Sequence, residues 1–435
     1  MAPTGRTAAD IAASVERDLH THTIAPGDAL PPVRTLAAEL GVNPNTVAAA
    51  YRTLRDRGIV ETHGRAGTRI RARPPTTRRD SLGPTVPPGT RDLSAGEPDP
   101  ALLPSPAFPD PAGWRPLYRH DALYEPFAEA GRTVLNAVGV TTEHLAATSG
   151  ALDGLERALA AHLRPGDLIA VEDPGWGNLL DLLAALNLTP RPVPVDDQGP
   201  DPAATEEALR AGARAFIVTA RAQNPTGAAV SARRAAALRP ILAAHPHVLL
   251  LEDDHGNDIA GEDLYTLTGV STHWAHIRSA AKAYGPDLRC AIVSGDAVTI
   301  ERIAGRQRLG PGWVSHALQH AVAHAWATPE VAHATEVARE TYRLRRTRLI
   351  DALRARGVAA TGRTGINVWV EVPDETAAVA TLLARGWAVA PGSRYRITSA
   401  PGLRITVATL TATETEHLAD AVAAALRIGP RGQSR

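Results

Sequence analysis

Lysine is almost missing from this chain: Lys282 is the only one in 435 residues, so 45 of the 46 basic residues are arginine. Arginine serves as a surface cation, a phosphate clamp or an ion-pair partner. It cannot form a Schiff base, because guanidinium does not deprotonate near neutral pH. A lone lysine is either a leftover of coding bias or a position where only a primary amine works, and its neighbours decide which. Cysteine is equally scarce, and with Cys290 alone an internal disulfide framework is excluded. No stretch reaches 18 apolar residues and residues 1–10 hold no apolar core of a leader, so neither a membrane span nor secretion is expected and a cytoplasmic protein is. Net formal charge is zero, which argues against a wholly basic wrapper of nucleic acid, and no metal-ligand cluster is read.

What is present is an ordinary globular composition, 44% hydrophobic and 21% charged, on a chain long enough for two or three domains. The excess of Ala, Arg and Pro looks like the coding bias of a GC-rich genome. Three zones follow. Residues 1–73 carry short helical patterns with ten Arg against seven acidic residues. Residues 74–91 hold five prolines and two glycines and little that would enter a core, which reads as a semi-rigid extended linker. From residue 92 to 435, aliphatic runs (168–172, 215–219, 248–252, 290–294) alternate with Ala-rich helical stretches. That βαβ rhythm predicts an α/β fold with a mostly parallel, doubly covered sheet and its ligand at the carboxyl ends of the strands.

In the first zone, Leu36, Ala37 and Leu40 give a short helix an apolar face and Gly41 ends it. Asn43 is placed to cap a second helix with Pro44 in its first turn, and Val47, Ala50, Tyr51 and Leu54 follow at helical spacing. Two short helices around a tight turn are the helix-turn-helix geometry, and Gly58–Ile70 alternates like a two-stranded wing. The pieces Pro26-Gly27, Leu30-Pro31, Arg34, Leu36-Ala37, Gly41-Val42, Thr46-Val47, Tyr51, Leu54, Gly58 and Gly67-Thr68 resemble the GntR-type winged helix-turn-helix. The resemblance implies contacts to double-stranded DNA from Arg34, Asn43, Asn45, Thr46 and Arg65. Pro44 stands where many relatives have arginine in the recognition helix, which weakens the expectation of base readout there. A domain of this size making few phosphate contacts binds weakly and salt-sensitively, so a dimer on paired half-sites is expected.

Around the lone lysine the chain reads Arg278-Ser-Ala-Ala-Lys-Ala-Tyr-Gly-Pro-Asp-Leu-Arg289. A hydroxyl three residues before the amine and an arginine seven after it suit a phosphate held beside it. Upstream, Thr148-Ser-Gly-Ala-Leu-Asp153 opens a helix whose first N–H groups suit an anion. Glu172-Asp-Pro-Gly-Trp176 sets an aromatic after a strand, and Gln223-Asn-Pro-Thr-Gly227 and Glu252-Asp-Asp-His255 follow in order. Taken singly, Trp176 is ordinary core and Asp253 an ordinary strand-end cap.

Taken together, these motifs resemble the fold-type I pyridoxal-phosphate (PLP) aminotransferases, with a smaller C-terminal α+β subdomain. The resemblance implies that Lys282 forms the internal aldimine, Asp253 pairs with the ring nitrogen, Asn224 bonds the phenolic oxygen and Trp176 stacks on the ring. It implies a phosphate cup of Gly150, Ala151, Ser279 and Arg289, and a carboxylate clamp at Arg404 in Gly402-Leu-Arg-Ile-Thr406. His255 stands where the enzymes usually have tyrosine, and two roles are open to it: replacing that hydrogen bond or packing. Ala281 replaces a small hydroxyl residue and thins the phosphate cup. Residues 305–315 lie where partners of the family reach into each other's sites.

A GntR-type winged helix, a linker and an aminotransferase-like domain resemble MocR-type regulators over nearly the whole chain. This implies a PLP-dependent transcription factor that senses PLP, an amine or an amino acid by imine exchange at Lys282. It also implies a homodimer in which the DNA-binding domain of one chain lies over the other chain, a crossing that an 18-residue linker spanning roughly 55 Å permits. The competing expectation is an aminotransferase with a fused DNA-binding domain.

Overall fold

Four aliphatic runs expected as strands occupy Leu168–Asp173, Ala215–Thr219, Leu249–Asp253 and Ala291–Gly295 in a computed structural model. It describes residues 3–20, 24, 27–56, 59–62, 67–70, 86–110, 114 and 116–427. The chain forms two compact units, one beginning with Met1–Ser81 and a larger one carrying most of the rest.

In the larger unit the strands join one eight-stranded sheet. Its spatial order is His144–Thr148, Ala291–Gly295, Trp274–Ser279, Leu249–Asp253, Ala215–Thr219, Leu168–Asp173, Thr189–Asp196 and Gly199–Pro200. The strands from Trp274–Ser279 through Leu168–Asp173 are parallel, whereas Ala291–Gly295 runs antiparallel to both its neighbours. Four central strands are buried along their whole length, as a sheet covered on both faces requires. Helix Ala232–Ala243 packs Leu238 and Leu242 against Phe216, Val218 and Leu250. Helix Glu125–Asn136 packs Phe127 and Leu135 in a cluster with Ala147 and Ile292. The parallel strands end on Asp173, Thr219, Asp253 and Ser279, so the polar residues gather at one edge.

The C-terminal subdomain is a three-stranded antiparallel sheet, Asn367–Glu371, Gly402–Thr406 and Ala390–Pro391, whose core includes Leu349, Leu353, Leu382, Leu418 and Val422. Arg91–Asp92 pairs in parallel with Trp387–Ala388. Composition assigns Arg91 to the linker, yet its backbone bonds the Gly386 carbonyl and its guanidinium bridges Glu414 at 2.8 Å. A pairing made by backbone leaves no trace in a Pro-rich composition. Residues 74–85 of the expected linker, and 71–73 before it, lie outside the described residues.

The N-terminal unit carries helices Ala8–His20, Val33–Leu40 and Pro44–Asp56, and the hairpin Val60–Thr62 with Thr68–Ile70. Asn43 accepts from the Asn45 N–H at 2.8 Å, so the expected cap forms. Leu36, Val47, Ala50, Leu54, Val60 and Ile70 share one core with Ile11 and Val15. The Tyr51 hydroxyl donates to the Pro31 carbonyl, tying helix Pro44–Asp56 to the segment that leads into helix Val33–Leu40. Among the described residues, no helix is long and apolar enough to cross a membrane.

Candidate functional site

Lys282 lies on a single helical turn, Ala281–Tyr284, two residues beyond the strand Trp274–Ser279. Part of its side chain is accessible, but burial of the amine, aided by Arg404 and Arg289 and opposed by Glu97, lowers its pKa from 10.5 to about 8. At about 8 roughly a tenth of the amine is neutral at pH 7, far more than for an ordinary lysine, and only the neutral amine attacks a carbonyl. Its Nζ donates to the Gly96 carbonyl at 2.5 Å.

Gly96 belongs to a strap, residues 93–99, that leaves the Arg91–Asp92 strand and crosses the site. Two residues earlier, the Ser94 carbonyl accepts from Arg404 Nη2. Gly96 has φ +70, which favours glycine, and a Cβ there would come within 2.8 Å of Arg404 Nη1 and so displace the guanidinium. Arg404 Nη1 also donates to Asn224 Oδ1 at 3.2 Å, and its guanidinium sits 5.0 Å above the Tyr395 ring. The strap is tied down at its far end, where Asp99 accepts from Arg345 at 2.8 Å and its N–H meets the Tyr342 hydroxyl at 3.0 Å.

At the end of its strand Asp253 is almost wholly buried. Its carboxylate receives the His255 N–H at 3.1 Å and faces His255 Nδ1 at 2.8 Å. His255 therefore does more than pack: it orients the aspartate. The Trp176 and His255 rings are neighbours, with centroids 6.1 Å apart and planes tilted by 32°.

Sheet register brings residues expected to hold the phosphate to one edge. Ala291 pairs with Ser279 on one side and Thr148 on the other, which brings Ser279 and the Thr148–Gly150 turn to one edge. Gly150 caps helix Ala151–His162 at φ +91, and a Cβ there would lie 2.7 Å from Arg289 Nη2. Arg289 Nη2 donates to the Ser149 carbonyl at 3.2 Å. Asn257 holds the Ser279 carbonyl at 2.9 Å from below. A deprotonatable amine, a buried carboxylate, an aromatic face and a helix start roofed by a guanidinium fit the aldehyde, ring nitrogen, ring and phosphate of PLP.

Several supporting groups escape sequence reading. Arg221 grips buried Asp254 with two bonds, at 2.9 and 2.6 Å, directly after Asp253. Burial raises the Glu172 carboxyl to about 7, against bonds from Thr219 and Gln223. Asp173 and Tyr395 also belong here. A polar residue inside an otherwise apolar strand end was the only signal for the acids, and Tyr395 carried none.

In the N-terminal unit Arg34, Asn43 and Asn45 are exposed and Thr46 is half-buried, on the second helix of the pair and the helix before it. Arg65 lies outside the described residues.

Residues 7–70 match the bacterial regulatory proteins of the gntR family, and residues 126–422 match aminotransferase class I and II. The chain is 41% identical over 423 residues to the vitamin B6 salvage pathway transcriptional repressor PtsJ of Salmonella typhimurium, covering 95% of this chain and 97% of that protein. The chain belongs to the MocR-type transcriptional regulators. A second such regulator, the HTH-type pyridoxine biosynthesis regulator PdxR of Corynebacterium glutamicum, is 28% identical over 76% of this chain and 75% of its own length. The α-aminoadipate aminotransferase LysN of Thermus thermophilus shares the fold, with a TM-score of 0.68 at 20% identity over 79% of this chain and 94% of that one. This MocR-type chain is thus a PLP-dependent, DNA-binding regulator: a winged helix for DNA and an aminotransferase fold for the cofactor.

Proposed function

We propose that this protein is a homodimer that reads PLP, or an amine or amino acid that reacts with it, at Lys282 and reports the reading through winged helices on paired DNA half-sites. The observation that carries the reading is the strap. Both the Lys282 amine and the Arg404 guanidinium donate to its backbone carbonyls, and in sequence the strap follows directly on the linker from the winged helix. The swapped arrangement, the half-sites and a cytoplasmic setting rest on the family resemblance. The names of the PtsJ and PdxR relatives favour PLP as effector and vitamin B6 genes as targets.

When bound, PLP supplies an aldehyde that condenses reversibly with primary amines and a ring that draws electrons. The chain's residues take the following parts. Lys282 provides the amine. Asp253, steadied by His255, holds a proton on the ring nitrogen, and Asn224 serves the phenolic oxygen. Trp176 covers the ring, while Gly150, Ala151, Ser279 and Arg289 hold the phosphate. Arg404 takes the carboxylate of an amino acid.

Engaging either donor strips a strap carbonyl of its partner. An enclosed carbonyl left unpaired costs about 1–3 kcal/mol, the same size as a typical coupling energy between sites. The strap is therefore a sufficient lever on the linker. On the DNA side Arg34 meets phosphate, and Asn43, Asn45 and Thr46 present the start of the recognition helix, with Arg65 in the wing.

The test is DNA affinity with and without PLP. Lys282→Ala is expected to bind DNA while losing the PLP response; a variant that still responds fully overturns the reading. A second reading, an aminotransferase with a fused DNA-binding domain, is favoured by the joint presence of a low-pKa Lys282 and a buried Asp253. Conversion to the pyridoxamine spectrum on adding amino acids, with turnover of roughly 1–10³ per second, would establish it.

A further inference from the structure

Asp173 ends the strand Leu168–Asp173, is 3% exposed, and lies three residues before Trp176. Its carboxylate receives five hydrogen bonds, all from a loop more than 220 residues away. Oδ1 accepts from the Ile397 N–H and the Ser399 hydroxyl, both at 2.8 Å. Oδ2 accepts from the Thr398 N–H at 2.7 Å, the Thr398 hydroxyl at 2.8 Å and the Ser399 N–H at 2.9 Å. Next to it, the Gly175 N–H donates to the Tyr395 carbonyl at 2.7 Å. The loop that Asp173 grips is thus the one that presents Tyr395, whose ring lies under the Arg404 guanidinium.

Tyr395 is buried with Trp369 and Ala390, and its ring meets Trp369 edge-on with centroids 6.5 Å apart. The ring is fixed from the side by Trp369 and along its backbone by the Asp173 loop. Stacking on an aromatic face uses none of a guanidinium's N–H donors, so Tyr395 orients Arg404 without adding to the bonds its terminal nitrogens already make to Asn224 and Ser94. Burial opposes ionisation of Asp173, yet the bonds from Ile397, Thr398 and Ser399 outweigh it and keep the carboxyl below its usual value. An acceptor of five donors must be a carboxylate: an amide would point two donors of its own at them. The Trp176 side of the strand end has a separate anchor, since Gln223 Nε2 donates to the Pro174 carbonyl at 2.8 Å.

We infer that Asp173 is a positioning residue for carboxylate recognition: by holding the 395–399 loop it sets the Tyr395 ring beneath Arg404, and so makes this site prefer amines that carry a carboxylate. The inference rests on the proposed role of Arg404 as the clamp.

The test compares L-alanine with ethylamine, which differ by the carboxylate, as ligands of the PLP-loaded full-length protein, followed by the absorbance change. Wild type is expected to bind alanine more tightly than ethylamine. In Asp173→Asn that preference should fall about tenfold, with ethylamine affinity and the cofactor absorbance unchanged. Tyr395→Leu should reproduce the loss and Tyr395→Phe should retain the preference, which also covers the case in which Asp173→Asn fails to fold. If wild type shows no preference, the clamp role of Arg404 fails and takes the inference with it. If wild type prefers alanine but Asp173→Asn and Tyr395→Leu do too, or if both ligands weaken equally, the inference alone is overturned.

Discussion

The two ends of this molecule handle charge in opposite ways. On the winged helix, Arg34, Asn43 and Asn45 stand in water on short helices. In the larger unit, Lys282 and Asp253 at the carboxyl edge of the central sheet, and Arg404 on the C-terminal sheet, are each held by named partners. A polyanion brings its own field, so side chains that meet it need only be present and solvated. An amine that must lose its proton needs the opposite: a surrounding that penalises its charge, which burial supplies at Lys282. The contrast explains why arginine is acceptable throughout the basic DNA-binding zone and why the one lysine lies where it does.

Replacing Lys282 with arginine is the sharpest attack on that contrast. It keeps the charge, as the rest of the chain does at 45 positions, but cannot condense with an aldehyde. Purified with PLP, Lys282→Arg is expected to lose all absorbance near 420 nm, and a retained band would mean that the amine is not the attachment point.

Varying pH tests the physical cause. Only the neutral amine condenses, so with a pKa of about 8 the rate of PLP capture should rise about tenfold per pH unit below 8 and level off above it. For a lysine at 10.5 the rise would continue through pH 10. Stopped-flow absorbance separates the two, and a rise that persists past pH 9 would show that burial does not tune this amine.

The smallest effect belongs to the exposed side. Arg34→Ala should weaken DNA binding alike for all sequences and reduce the slope of log affinity against log salt by about one. Titration at several salt concentrations checks it. A sequence-dependent loss would instead assign Arg34 to base reading.

Local pattern carried much of this architecture. The strand Ala215–Thr219 was legible to the residue, and Leu249–Asp253 to within one, because buried strands are uninterrupted aliphatic runs. The Asn43 cap was equally local, its partner being two residues away. Thr189–Asp196, by contrast, carries prolines and exposed residues and has no such run. Trp274–Ser279 is fully buried but contains His276 and Arg278, whose cost is met by Glu252 and Asp258 from elsewhere in the chain. His255 shows the limit at short range: its position marked a departure from the family pattern, but that it orients Asp253 depends on where the loop turns.

By itself the sequence determined that the chain keeps a single primary amine side chain, that it sits among ordered cofactor motifs, and that a helix-turn-helix precedes them. These are statements about residue types and short spacings, which chain chemistry controls. Only the tertiary structure decided that the Lys282 amine and Arg404 share one strap, and that Asp173 holds the loop whose Tyr395 lies beneath Arg404. Asp173 and Ser399 are 226 residues apart, and no local propensity encodes a contact between them. Sheet order and burial bring them together, and burial turns an acid at a strand end into an anchor.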